Sequence, residues 1–156
     1  MRQIQSIVSI LVIVLVSSVN TIGAQVPDYE LPATPENVVW GWYPIDRAPV
    51  LTIASGETVR IDTLTHAGST QAADPERHLG QLGIAPNEIL QDVIDFWNSK
   101  DARQREGRGP HLITGPIYID GAEPGDMLEI EVIALRTRVP YGVNTTGSTT
   151  GVFDPE

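Results

Sequence analysis

The stretch from Gly109 to Val132 contains the residue types that chemistry would use, and it sets them against a rigid bend. In Glu123-Pro124-Gly125-Asp126, Pro stands where a type II turn fixes a negative φ and Gly where the turn needs a positive one. Two carboxylates are therefore held at a chain reversal. His111 immediately precedes the strand that leads into this turn. A second group lies upstream: Asp62 and His66 are four apart where a strand runs out into Thr65-His66-Ala67-Gly68. The end of a rigid strand is where side chains reach a loop-lined cleft. Two imidazoles and three carboxylates are the ingredients of an oxygen- and nitrogen-ligated metal site, or of general acid-base hydrolysis. On the first reading Asp62, His66 and His111 are the candidate ligands; on the second, Asp62, His111, Glu123 and Asp126 are the candidate catalytic groups. Each has a plain alternative. A histidine at a strand end is commonly a surface residue or bonded to backbone, and an Asp in a turn readily accepts from a nearby N–H. No HExxH pair, GxSxG elbow or phosphate loop accompanies these residues. His78, in Asp74-Pro75-Glu76-Arg77-His78, reads as loop without a supporting signal.

The elements that would position these groups read as mainly β. Val38-Val39-Trp40 opens a strand, followed by Gly41-Trp42-Tyr43-Pro44. Trp40, Trp42 and Tyr43 are either a core edge or the wall of a small pocket. Residues 49–54 and 57–65 form the best hairpin candidate, around Ser55-Gly56. In its second arm Val59, Ile61 and Thr63 share one face and Arg60 and Asp62 the other. Residues 127–135 alternate likewise, Leu128, Ile130 and Val132 against Glu129 and Glu131, which predicts an antiparallel sheet with one wetter face. The spacing of Ile89, Val93 and Trp97, widened by Leu90 and Ile94, predicts the one helix over 85–100. Pro86 and Glu88 suit its start and Lys100 its end. Residues 101–109, with Arg103, Arg105 and Arg108, read as a solvated linker. Thr114-Gly115-Pro116 would let a backbone approach a ligand closely.

Length and charge bound the rest. The chain has 156 residues and a formal net charge of −10, with a single lysine. That composition argues against nucleic acid, which demands a basic face. Arg2, an apolar run from Ile7 to Val16, then small and polar residues up to Ala24 follow the order of a secretory signal. The apolar part is far shorter than the roughly 20 residues a bilayer span needs. The expected organisation is a signal peptide over 1–24, removed on export to the periplasm or the extracellular space, an extended leader over 25–36, and one β domain over 37–156. Membrane contact would come only through the signal segment, and a homo-oligomer stays open. The chain has no cysteine, so neither disulfides nor thiolate chemistry enter. Gly147-Ser148-Thr149-Thr150-Gly151 and Asp154-Pro155-Glu156 read as loop, as though the fold were incomplete at this end.

The segment HLITGPIYIDGAEPGDMLEIEV resembles a signature of the acetamidase/formamidase family, H-x-L-T-G-P-x-x-V-x-G-A-x-P-G-D-x-L-x-V, with Ile119 and Ile130 as conservative replacements. Upstream, VVWGWYPIDRAPVLTIASGETVRIDTLTHAG is similar to that family's opening W-G, P-V-L-T-V, S-G-D and V-x-I-x-T series, with Glu57 where Asp is commoner. Downstream, VPYGVNTTGSTTGVFDPE resembles the segment leading to its G-x-L-P loop. The resemblance implies a jelly-roll-like sandwich, longer in full than this chain, that hydrolyses the C–N bond of short linear amides such as formamide or acetamide. It also implies zinc or calcium in some members. Substrate contacts are then expected from Trp40, Trp42, Tyr43, Thr114 and Gly115. The alternatives are an exported β-sandwich that binds a small polar ligand without reacting, and an inactive portion of an amidase.

Overall fold

The computed structural model describes residues 26–70, 73–103, 105 and 107–143. Six strands of three residues each are present there: β1 (Tyr29–Leu31), β2 (Val38–Trp40), β3 (Leu51–Ile53), β4 (Val59–Ile61), β5 (Leu112–Thr114) and β6 (Ile117–Ile119). Between β4 and β5 lie α1 (Pro75–Gly80), a 3-10 turn (Pro86–Glu88) and α2 (Gln91–Ser99). By its elements the described chain is mainly β. The expected signal segment and the stretches 147–151 and 154–156, expected as loop, lie outside the described residues.

The strands pair over long distances into three two-stranded ladders. β2 and β5 are antiparallel, but β1 with β4 and β3 with β6 are parallel, so the antiparallel expectation holds for one ladder only. The hairpin expected around Ser55-Gly56 does not form. Its turn does close, with Ala54 N–H donating to Glu57 Oε2 at 2.6 Å and Glu57 N–H to the Ala54 carbonyl at 3.3 Å. The two arms then part because each has a stronger claim elsewhere: β3 on β6, and β4 on the segment expected to be a surface leader. That segment supplies β1 and buries Leu31 and Ala33. Asp28 locks this ladder. Its Oδ2 accepts from Thr58 N–H at 2.8 Å and Thr58 Oγ1 at 2.7 Å, while its own N–H donates to Thr58 Oγ1 at 3.0 Å.

Helix signals were legible in part. The break within 85–100 comes from Glu88, whose Oε2 accepts from Ala85 N–H at 3.0 Å and closes a 3-10 turn. Ile89 and Leu90 are then extended, with ψ of 128° and 135°, before α2 begins. The reset moves the buried stripe to Val93 and Phe96, and Trp97 stays half-exposed beneath Lys100 Nζ, 4.0 Å from its ring centre. The stretch Asp74–His78, expected as loop, instead starts α1 because Asp74 caps it, Oδ1 accepting from Arg77 N–H at 2.9 Å, with Pro75 opening the first turn. The run 127–135 forms no strand and leaves Leu128, Ile130, Val132 and Leu135 exposed. Alternation confers two faces, but a strand also requires a partner edge, and none of the described ladders includes this run.

The core gathers β2, α1 and α2. Phe96 is fully buried, edge-on to Trp40 at 5.7 Å between ring centres, and joins Val38, Leu79 and Val93. Arg103 covers it, the guanidinium 4.9 Å from the Phe96 ring centre and donating to the carbonyls of Pro35 at 3.0 Å and Val38 at 2.6 Å. The expected solvated linker is therefore a clamp.

The Thr58 hydroxyl and backbone N–H hold the Asp28 carboxyl below its ordinary value. A carboxyl depressed on folding stabilises the fold above its unfolded pKa and loses that contribution as pH falls through the lowered value. Chemical denaturation of wild type and Asp28→Asn across acid pH should show a wild-type advantage near neutrality that shrinks progressively as pH falls below the ordinary carboxyl range. An advantage that persists at the acid end would contradict this lock.

Candidate functional site

Each histidine is positioned by a ladder that runs one step past its strand. β5 lies on β2 with Val38 opposite Thr114 and Trp40 opposite Leu112. Gly41 N–H continues it by donating to the His111 carbonyl at 3.0 Å. The turn at Gly41 is possible only for glycine. Its φ is +113°, and a Cβ there would stand 2.5 Å from the Gly107 carbonyl oxygen. A Cβ on Gly107 would meet Trp42 Cγ at 2.3 Å, and one on Gly109 would meet the Gly41 oxygen at 2.6 Å. Three glycines thus let the chain after β2 lie directly on the chain before His111. Arg105 staples the same place, its guanidinium 5.0 Å from the Trp40 ring centre and donating to the carbonyls of Arg108 at 2.5 Å and Gly109 at 2.6 Å.

His66 follows β4 by a similar route. Asp62 N–H donates to the Leu31 carbonyl at 3.0 Å, and Thr114 Oγ1 donates to the Asp62 carbonyl at 2.7 Å, tying the ends of β4 and β5 together. The His66 carbonyl accepts from the N–H groups of Ser69 at 3.1 Å and Thr70 at 3.0 Å, which closes the turn that carries the ring. The imidazoles of His66 and His111 meet edge to face, 5.5 Å between centres and 89° between planes. His66 is half-buried and His111 exposed, so the pair is open on one side.

The remaining expected groups are placed otherwise. Asp62 is half-buried while Ile61 is exposed, against the predicted faces, because β4 ends at Ile61 and Asp62 lies just past the strand. Its Oδ2 lies 3.7 Å from Arg138 Nη2, which in turn contacts Asp92 Oδ2 at 2.6 Å. Asp126 closes its own turn: Oδ2 accepts from Glu123 N–H at 2.9 Å, and Asp126 N–H donates to the Glu123 carbonyl at 3.1 Å, with Gly125 at φ +110°. This turn borders a cleft of about 190 Å³ lined by Ile117, Tyr118, Ala122 and Leu128, without either imidazole. Trp40 is drawn into the core, and Trp42 and Tyr43 are 62% and 80% exposed and line neither that cleft nor the larger one beside Arg47 and Arg103. The Thr114 hydroxyl is used on Asp62, and Gly115, buried, joins Pro116 through a cis bond. Among the described residues no three His, Asp or Glu side chains stand close enough to hold a metal ion. The expected Asp62, His66 and His111 set is thus not assembled as a donor trio: the imidazoles face each other, and the carboxylate faces arginine.

Arg138 and Asp92 escaped the sequence reading because nothing local marks a pair 46 positions apart. Comparison with family models, curated proteins and solved structures gave no match for this chain.

Two stability measurements check this geometry. Gly41 and Gly56 both have positive φ, but a Cβ at Gly56 meets nothing within 4 Å. Gly56→Ala should cost about 1–2 kcal/mol from backbone conformation alone, and Gly41→Ala clearly more in the same urea titration; equal costs would contradict the close approach. The Ser69 hydroxyl is fully buried without a hydrogen-bond partner among the described residues. An unsatisfied buried polar group costs about 1–3 kcal/mol, so Ser69→Ala should match or exceed wild-type stability.

Proposed function

We propose that the chain hydrolyses the C–N bond of short linear amides of the formamide and acetamide type, with the His66–His111 pair as the acid-base group. The support is the contact between the two imidazoles at 5.5 Å, made by residues from the two segments that resemble the acetamidase/formamidase signatures. The same resemblance carries the proposal of a jelly-roll-like sandwich, and the N-terminal apolar run after Arg2 carries that of export.

In this reading one neutral imidazole takes a proton from water as the water oxygen bonds to the amide carbonyl carbon. The resulting imidazolium gives that proton to nitrogen as the C–N bond breaks and its electron pair leaves with the amine. Ammonia and the carboxylic acid are released, and the acid ionises. Paired general acid-base groups of this kind contribute about 10²–10⁴-fold in rate. Zinc or calcium would need three donors, and the described residues supply no such trio, so no step is routed through a metal. Glu123 and Asp126 border a separate cleft. A second reading, ligand binding without turnover, draws support from Asp62 and Asp126 both being engaged in structural contacts.

Ammonia release from formamide and acetamide tests the proposal. Turnover should fall about 10²-fold or more in His111→Ala and in His66→Ala, and much less in Asp126→Asn. No ammonia from wild type, together with a ligand-induced thermal shift, would favour binding; unchanged turnover in both histidine variants would end the acid-base assignment.

A further inference from the structure

Beyond the exposed run 127–137 the chain comes back onto the protein. Val139, Tyr141 and Val143 are half-buried in alternation with exposed Pro140 and Gly142, and Val143 packs against the core cluster. Burial and the nearby Glu88 carboxylate raise the Tyr141 phenol above its usual value, in keeping with a docked ring. The entry to this segment is held by one guanidinium nitrogen shared between two carboxylates. Arg138 Nη2 is 2.6 Å from Asp92 Oδ2 on the first turn of α2 and 3.7 Å from Asp62 Oδ2 just after β4. All three side chains are 19–29% exposed, so the latch is accessible to ions. Arg60 Nε, 3.8 Å from Asp62 Oδ1, is itself drawn away to Glu30, which it meets at 2.9 Å through Nη1.

We propose that residues 138–143 are a strap, latched by Arg138 across Asp62 and Asp92, that keeps the Asp62 carboxylate occupied while closed and frees it when ions screen the latch. The second half rests on the amide reading and on the sequence-based expectation that Asp62 is one of its catalytic groups; the first half rests on neither. The physical basis is that a partly exposed ion pair is worth little and is weakened by salt. A strap whose entry rests on such a pair therefore loosens there under conditions that leave the core intact.

Trypsin reads the latch in the full chain, since Arg138 is held by Asp92 and Asp62, whereas Arg136, two residues earlier and exposed like Arg138, is not part of the latch. The rate of cutting after Arg138 relative to Arg136, normalised to a synthetic peptide of residues 127–143, should be depressed about two- to fivefold at low salt. It should rise toward the peptide value at about 0.5 M NaCl, where a Debye length of about 4 Å weakens the latch. Asp92→Asn should abolish the depression at low salt, while Asp95→Asn, on the same helix and bonded to Gln91, should leave it. Thermal melting of both variants confirms that the helix is retained. A normalised ratio of one at low salt, or a depressed ratio that neither salt nor Asp92→Asn changes, overturns the strap. The amide reading is judged separately by ammonia release. With turnover established, Arg138→Gln should raise it about two- to fivefold at low salt, and an unchanged rate overturns the claim that the strap controls Asp62.

Discussion

The contact on which the arrangement depends is the edge-on packing of Phe96 against Trp40. Phe96 is the deepest large side chain of α2, and Trp40 is the last residue of β2, so this contact is where the helical region meets the sheets. Truncating a buried Phe commonly costs about 3–5 kcal/mol, a large share of what a small domain has. Both exposed flanks of the contact are closed by arginine: Arg103 lies over Phe96 and Arg105 over Trp40. Their hydrogen bonds to backbone carbonyls position main chain on either side of the aromatic pair.

The geometry of the imidazole pair descends from this contact. Trp40 fixes β2; β2 fixes β5; the Gly41 N–H and the three facing glycines fix the backbone at His111. His66 arrives from the other side, through β1, β4 and the Thr114 hydroxyl. The two rings are therefore placed by main-chain hydrogen bonds and close backbone packing, while their own side chains remain available. Asp62 and Asp126 differ in this respect. One faces arginine and the other caps its own turn, so each carboxylate already has a structural partner.

How much of this was legible in the sequence depended on the range of the interaction. Local chemistry could be read directly: the Glu123–Asp126 turn, Val38–Trp40 as a strand and Pro86 at the start of a helical turn are all present. The Asp74 cap on Pro75 could have been read the same way and was not. Pairing could not be read. The 51–61 region has every feature of a hairpin, but its arms join distant partners, because three-residue strands carry too little register information to choose a neighbour. The meeting of His66 with His111 was foreshadowed only by residue type. The partial burial of Asp62 ran against the period-two pattern because the pattern ends with the strand, while the backbone bond to Leu31 carries the chain one residue further.

The parallel ladders have a consequence for how the chain acquires its structure. β3 pairs with β6 across 66 positions, from Leu51 to Ile117, and β4 pairs backwards with β1 across 30, from Tyr29 to Val59. Closing loops of this size comes before any of the contacts that reward it, so a topology of this kind collapses slowly compared with a hairpin-built one. On the ribosome, β3 emerges long before its neighbour exists, and its hydrogen-bonding edge stays bare until residues 117–119 have been added. Nascent chains in that interval are the form most exposed to mispairing with one another.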